Sequence, residues 1–214
     1  MNNTQMIFKE YWLNFAYSLG LNSEKTHHIL QTLIHAYSQP QRFYHTCQHI
    51  VECLELYEMV KDHIEDKRTF QIAIWFHDFI YQPQAQDNEE QSAIQMQNLC
   101  AEFLSEIELE KAYSWIIATK QHKASTQQDL NYLLDIDLAI LATDATRFVE
   151  YEQQIQQEYA WVEPEIYHVK RAEVLQYFYA MQPLYQTAYF REKLEQKAKS
   201  NLSKALNTFT GKTN

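Results

Sequence analysis

The chain predicts an all-α protein, a helical bundle of about ten helices, on three observations. Its 214 residues include only two glycines, Gly20 and Gly211, and four prolines, Pro40, Pro83, Pro164 and Pro183. That leaves no material for the glycine-dependent turns of tight hairpins. Gln, Glu, Leu, Ala and Lys, all good helix formers, are abundant. Apolar residues, 46% of the chain, recur at helical rather than alternating spacing.

The first helix is expected from about Thr4 to Leu19, closed by Gly20, a natural C-terminal cap. Ser23 caps a second, to about Tyr37, with Glu24 at the positive end of its dipole. Ser38 to Gln41 is a turn. A third helix is expected from about Tyr44 to Val60, because Ile50, Cys53, Leu54, Tyr57 and Val60 keep a helical period. A fourth, about Glu65 to Ile80, is apolar on every side and so belongs in the interior. Gln82 to Asp87, with Pro83, is a polar loop. Asp87 or Asn88 caps the next helix, with Glu89 and Glu90 in its first turn. Further helices are expected over about Ser105–Lys120, Asn131–Leu141, Thr143–Trp161, Pro164–Ala180 and Phe190–Asn207. Gln121–Asp129 is a loop, and Thr208–Asn214 is a frayed tail. With no repeat, low-complexity tract or linker, residues 1–214 are expected to form a single domain. Its site-bearing core spans about 37–159, and helices 164–207 pack on it.

Composition narrows the function. A dinucleotide fingerprint, a P-loop and a nucleophile elbow each need clustered glycines, which are missing. A net charge of −10 argues against a binder of nucleic-acid polymers, which needs a basic face. Cys47, Cys53 and Cys100 form no C-x-x-C pair and suit reduced thiols in a cytoplasmic protein. The start Met1-Asn2-Asn3-Thr4-Gln5 is not that of a signal peptide. No apolar run reaches the roughly 20 residues that span a bilayer.

Five features supply chemistry. His45 and His49 stand at i and i+4, which on a helix places both imidazoles on one face. His77 and Asp78 interrupt the apolar run Ile72–Tyr81. A buried carboxylate needs a cation or good donors, and the adjacent histidine makes a metal ion the leading candidate. A salt bridge or a helix cap is the plainer reading. His122 follows in a polar loop. Asp135 and Asp137 lie in the run Leu133–Leu141. Asp137 shares a face with Leu133, Leu134, Ile140 and Leu141 and is expected to point inward. Asp135 is expected to be exposed. Arg42 and Lys120 precede the candidate ligands and suit an anionic substrate such as a phosphate. Imidazole and carboxylate ligands on separate helices suit Zn, Mn, Fe or a similar divalent ion, with Ni, Co and Mg also in range.

In this order, Arg42-x-x-His45-Thr46, His77-Asp78 and Asp137 resemble the HD superfamily of metal-dependent phosphohydrolases. More narrowly, RFYHTCQHI, AIWFHDFIYQPQAQDNEEQSA and LLDIDLAIL look like an uncharacterised, predicted phosphohydrolase branch of it. The resemblance implies an HD-like fold with His45, His77, Asp78 and Asp137 as metal ligands. His49 and His122 would serve a second ion or support the first. It favours His45 over His49 as the primary ligand, because Arg42 and Thr46 flank His45 in the expected register. One departure is Ile80, where a small residue is common two places after the aspartate.

The expected activity is hydrolysis of a small phosphate ester, with nucleotides among the candidates, by water activated on one or two divalent ions. Asp78 would orient that water. Arg42, Lys120 or His122 would neutralise charge on the phosphate. Glu89 and Glu90 are either substrate contacts or ordinary acids of a helix start. No membrane partner is expected. The rival is an oxygen-activating di-iron enzyme, for which Glu24/His27 and Glu165/His168 match the Glu-x-x-His spacing. Both pairs open their helices, where acids are expected anyway. A metal-stabilised binding protein without turnover is the third reading.

Overall fold

Helix α1 (Asn3–Ser18) ends where Gly20 adopts a left-handed backbone, φ 72°, and the Leu21 N–H reaches back to the Ala16 carbonyl. A residue without a Cβ enters that region at little cost. The structure, a computed structural model, describes residues 3–210. Among the described residues it holds ten α-helices and no strand. The chain divides into two compact units, one through Leu133 and one from Leu134 onward.

The first unit contains α1, α2 (Ser23–Ala36), α3 (Cys47–Val60), α4 (Lys67–Phe76), α5 (Asn88–Cys100) and α6 (Glu106–Ala118). Helix α4 is the centre, packed against α3, α5 and α6. Ile72 through Phe76 are fully buried, as an all-round apolar helix requires. Trp75 takes Phe8 and Trp12 of α1 edge-on, at centroid distances of 4.9 and 5.3 Å. Its carbonyl accepts from the Tyr37 hydroxyl at 2.8 Å. Asp66 caps α4 by accepting from Thr69 N–H, and Lys111 of α6 pairs with Asp66 at 2.9 Å. Asp129, on the first turn of α7 (Gln128–Asp137), accepts the N–H groups of Glu65 and Asp66. The start of α4 is thus tied to α6 and α7. A reciprocal capping box of Ser105 and Glu108 opens α6.

The second unit contains the end of α7, a 3-10 stretch (Leu138–Ala142), α8 (Ala145–Glu158), α9 (Pro164–Ala180) and α10 (Ala188–Thr210). Helix α10 packs on α9 and on the 3-10 stretch. Asn201 donates to the carbonyls of Leu141 and Thr143, both at 3.0 Å, and Tyr185 donates to that of Leu138. Lys199 gathers the last carbonyls of α9, including that of Tyr179 at 2.8 Å, the place where a helix favours a cation.

The structure corrects several expected boundaries. Helix α3 starts at Cys47, not Tyr44, because the Thr46 side chain accepts from Gln48 N–H and caps it there. Helix α4 ends at Phe76 rather than Ile80, so His77 and Asp78 stand in the turn that closes it. Asn22 rather than Ser23 caps α2, accepting from Lys25 N–H. The expected tail is helical to Thr210, and its last residues lie outside the described ones. Asp135 is buried, 1% exposed, not exposed as its position on the helix suggests. Residues 129–136 are all buried, so α7 has no solvent face for Asp135 to occupy. Its carboxylate accepts from the backbone of Gln186 and from the backbone and hydroxyl of Thr187, each at 2.7 Å. No helix among the described residues is long and apolar enough to cross a membrane.

Candidate metal centre

Two short breaks in the helices of the first unit bring the site together. Thr46 starts α3 so that His49 lies in its first turn, facing α4. The end of α4 presents His77 and Asp78. His49 Nε2 stands 3.0 Å from His77 Nε2, and Asp78 Oδ2 is 3.3 Å from the first and 3.1 Å from the second. Both histidines are 2% exposed, while Asp78 keeps some contact with solvent. Ligands about 2.1 Å from a shared ion and at right angles stand about 3.0 Å apart, which is the edge length of this triangle.

Protonation is constrained as well. His77 Nδ1 lies 2.9 Å from the Ile74 carbonyl. A carbonyl only accepts, so Nδ1 carries the proton and the Nε2 of neutral His77 presents a lone pair to the triangle. His49 Nδ1 meets the Tyr44 hydroxyl at 3.0 Å. A phenol can donate or accept, so it supports either tautomer of His49. Burial alone would raise the Asp78 carboxyl. The charge that His77 and His45 carry when protonated, with the hydrogen bond from His49, outweighs it and holds the group well below the usual carboxylate range. The His/Asp cluster, with an ionised carboxylate and two inward imidazoles, could hold a metal ion.

Arg42 has a different task from the phosphate contact expected of it. It is 5% exposed. Its Nη1 donates to the carbonyls of His45 and Asp78 and its Nη2 to that of Phe79, all at 2.8 Å. The rings of Tyr37 and Tyr81 lie against the guanidinium at 5.0 and 5.4 Å. A cation here also meets the negative end of the α4 dipole. Arg42 therefore clamps the segment before α3 to the turn after α4. Ser92 of α5 holds the same turn, accepting from Ile80 N–H at 2.9 Å and donating to the Ile80 carbonyl at 3.3 Å. The turn at Ile80 is thus secured by a neighbour, not by a small residue.

The remaining residues fall as follows. His45 precedes the cap of α3, so the shared helix face expected for His45 and His49 does not exist. The His45 ring stacks on Tyr81 at 4.1 Å instead, and it is His49 that meets His77 and Asp78. His122 ends the turn after α6 with φ 50°, a region histidine tolerates better than most residues. It is not among the clustered ligand atoms. Lys120 is exposed, reaches the Gln86 carbonyl, and lies 3.5 Å from Glu89. Asp137 closes α7 in the second unit, where its charge adds to burial in raising the Tyr151 phenol. Glu24, His27, Glu165 and His168 are all exposed. Tyr44 and Ser92 were missed as supports of the site. No local pattern marks either one, since each acts across a contact between elements.

The chain matches no family model, no curated protein and no solved structure.

Proposed function

We propose that the protein is a metal-dependent phosphohydrolase acting on a small phosphate ester, with nucleotides among the candidate substrates. The observation that carries this reading is the triangle of His49 Nε2, His77 Nε2 and Asp78 Oδ2, with edges of 3.0 to 3.3 Å. The ordered resemblance of Arg42-x-x-His45, His77-Asp78 and Asp137 to the HD superfamily supports the choice of chemistry. On this reading His49, His77 and Asp78 are ligands. A divalent ion held by these residues would lower the pKa of a coordinated water and polarise a phosphoryl oxygen. Asp78, the ligand most open to solvent, orients the attacking water. Tyr44 and Ile74 aim the imidazoles, and Arg42 fixes the spacing between α3 and α4. His45, whose ring stacks on Tyr81 and packs near His49, and Lys120 are the candidates to meet a phosphate.

An oxygen-activating iron enzyme is the rival, because two histidines and one carboxylate on one face also suit non-haem iron. The exposed Glu-x-x-His pairs give it no second iron site.

The test is metal analysis by plasma mass spectrometry of untagged wild type, His49→Ala and Asp78→Ala, followed by a phosphate-ester panel. The expected result is at least one divalent ion in the wild type, its loss in both variants, and phosphate release only by the loaded wild type. Bound metal without turnover on the panel would leave a binding protein. Iron with an oxygen-dependent absorbance change would favour the rival. No metal after reconstitution would overturn both enzyme readings.

A further inference from the structure

Helix α9 buries one side, through Tyr167, Arg171 and Leu175, and leaves large apolar side chains open on the rest of its surface. Ile166 is 55% exposed, Val169 59%, Val174 43% and Tyr177 47%. At 100° per residue these four lie within one broad stripe, and Lys170 and Glu173 fall between them. Lys170 and Glu173 are themselves exposed and pair within the helix at 2.8 Å. Isolated exposed apolar residues are ordinary, but four large ones along a single helix mark a surface that is covered in use.

The order along the stripe identifies what covers it. An antiparallel copy of α9, turned about a twofold axis between residues 171 and 172, sets Ile166 against Tyr177 and Lys170 against Glu173 along the seam, with Val169 and Val174 on its two flanks. Each pairing recurs on the other side of the axis, as a twofold interface demands. Ile166 meets Tyr177, the only two charges on the stripe lie beside their opposites, and the two valines cover the edges of the seam. A parallel arrangement would set Lys170 on Lys170 and Glu173 on Glu173. An anionic membrane is a poor alternative, because the chain carries a net charge of −10 and the stripe offers one lysine.

We propose that α9 is a homodimer interface in which two copies pack antiparallel through Ile166, Val169, Lys170, Glu173, Val174 and Tyr177. A single helix pair lies at the low end of specific interface areas, so a dissociation constant of about 10–100 µM is expected.

The test is sedimentation equilibrium of the full chain at concentrations spanning that range. Wild type should pass from monomer to dimer. Val169→Glu should remain monomeric, with a circular dichroism spectrum like the wild type, since the side chain is exposed. Lys170→Glu faces Glu173 with a like charge and should weaken the dimer by about five-fold or more. The double variant Lys170→Glu/Glu173→Lys should recover wild-type association. A wild type that stays monomeric throughout, or a dimer indifferent to Val169→Glu, overturns the proposal. Failure of the double variant to recover overturns the antiparallel register. A monomer that binds phosphatidylcholine vesicles through Val169 would assign the stripe to a lipid surface instead.

Discussion

Arg42 Nη1 donates to the backbone carbonyl of Asp78 at 2.8 Å across 36 residues of chain. The same nitrogen bonds the His45 carbonyl, so one buried guanidinium spans the gap between the segment leading to His49 and the turn carrying His77 and Asp78. The distance between the two halves of the candidate centre is therefore set by a side chain that grips the backbone on both sides.

Lysine keeps the charge at position 42 but cannot reach three carbonyls in the fixed fork of a guanidinium. Arg42→Lys is expected to destabilise the fold by about 2–4 kcal/mol, because buried carbonyls lose their donors. Urea titration should show a lower midpoint with an unchanged slope. A midpoint equal to the wild type would show that the clamp contributes nothing.

Tyr44→Phe removes the hydroxyl that meets His49 Nδ1 and leaves the ring. On the metal reading, affinity for the ion should fall by about 10–100-fold, the usual consequence of losing a partner of a ligating histidine. Isothermal titration with Zn or Mn measures it. Unchanged affinity would show that packing alone orients His49.

Ser92→Ala strips the partner from both the N–H and the carbonyl of Ile80, at a cost of about 1–3 kcal/mol. Ser92→Thr, which restores a hydroxyl, should recover part of that loss. Chemical denaturation of the three proteins decides it, and an alanine variant as stable as wild type would mean that water replaces the hydroxyl.

Asp135 gives a pH dependence. Burial pushes its carboxyl up to about 6, although the donors of Thr187 and Gln186 oppose the shift. A folded-state pKa above the unfolded value of 3.8 means that the folded protein holds the proton more tightly. The stability from this group is fully present below about pH 4 and is lost as the pH rises through about 6, a fall of about 3 kcal/mol. Asp135→Asn cannot lose a proton there. The difference in unfolding free energy between wild type and variant should therefore shrink or reverse by that amount from pH 4 to pH 7. Parallel profiles would refute the shift.

Signals that act within a few residues were legible in the sequence. Pro164 opens α9, and its bounds agree with the expected ones. Gly20 and Ser105 mark a helix end and a helix start because a left-handed residue and a capping hydroxyl act locally. The helical class follows from the same scarcity of breakers. Spacing misled where it assumed a continuing helix. The i and i+4 rule applied to His45 and His49 fails because the Thr46 cap delays α3 until Cys47. A helical wheel misplaced Asp135 because the wheel presumes one solvent face, and α7 has none. The roles of Arg42, Tyr44 and Ser92 depend on partners brought close by tertiary packing, which no local pattern encodes.

The hydrogen bond from His77 Nδ1 to the Ile74 carbonyl sets the imidazole before any ligand arrives. Imidazole nitrogens and a carboxylate oxygen are donors that several first-row divalent ions accept. Divalent ions then compete in the order of their intrinsic affinity, weighted by their abundance. If the centre takes up an ion as proposed, the occupant reflects what the surroundings supply when the chain folds. Purified batches would then differ in metal according to the growth medium, with the protein itself unchanged.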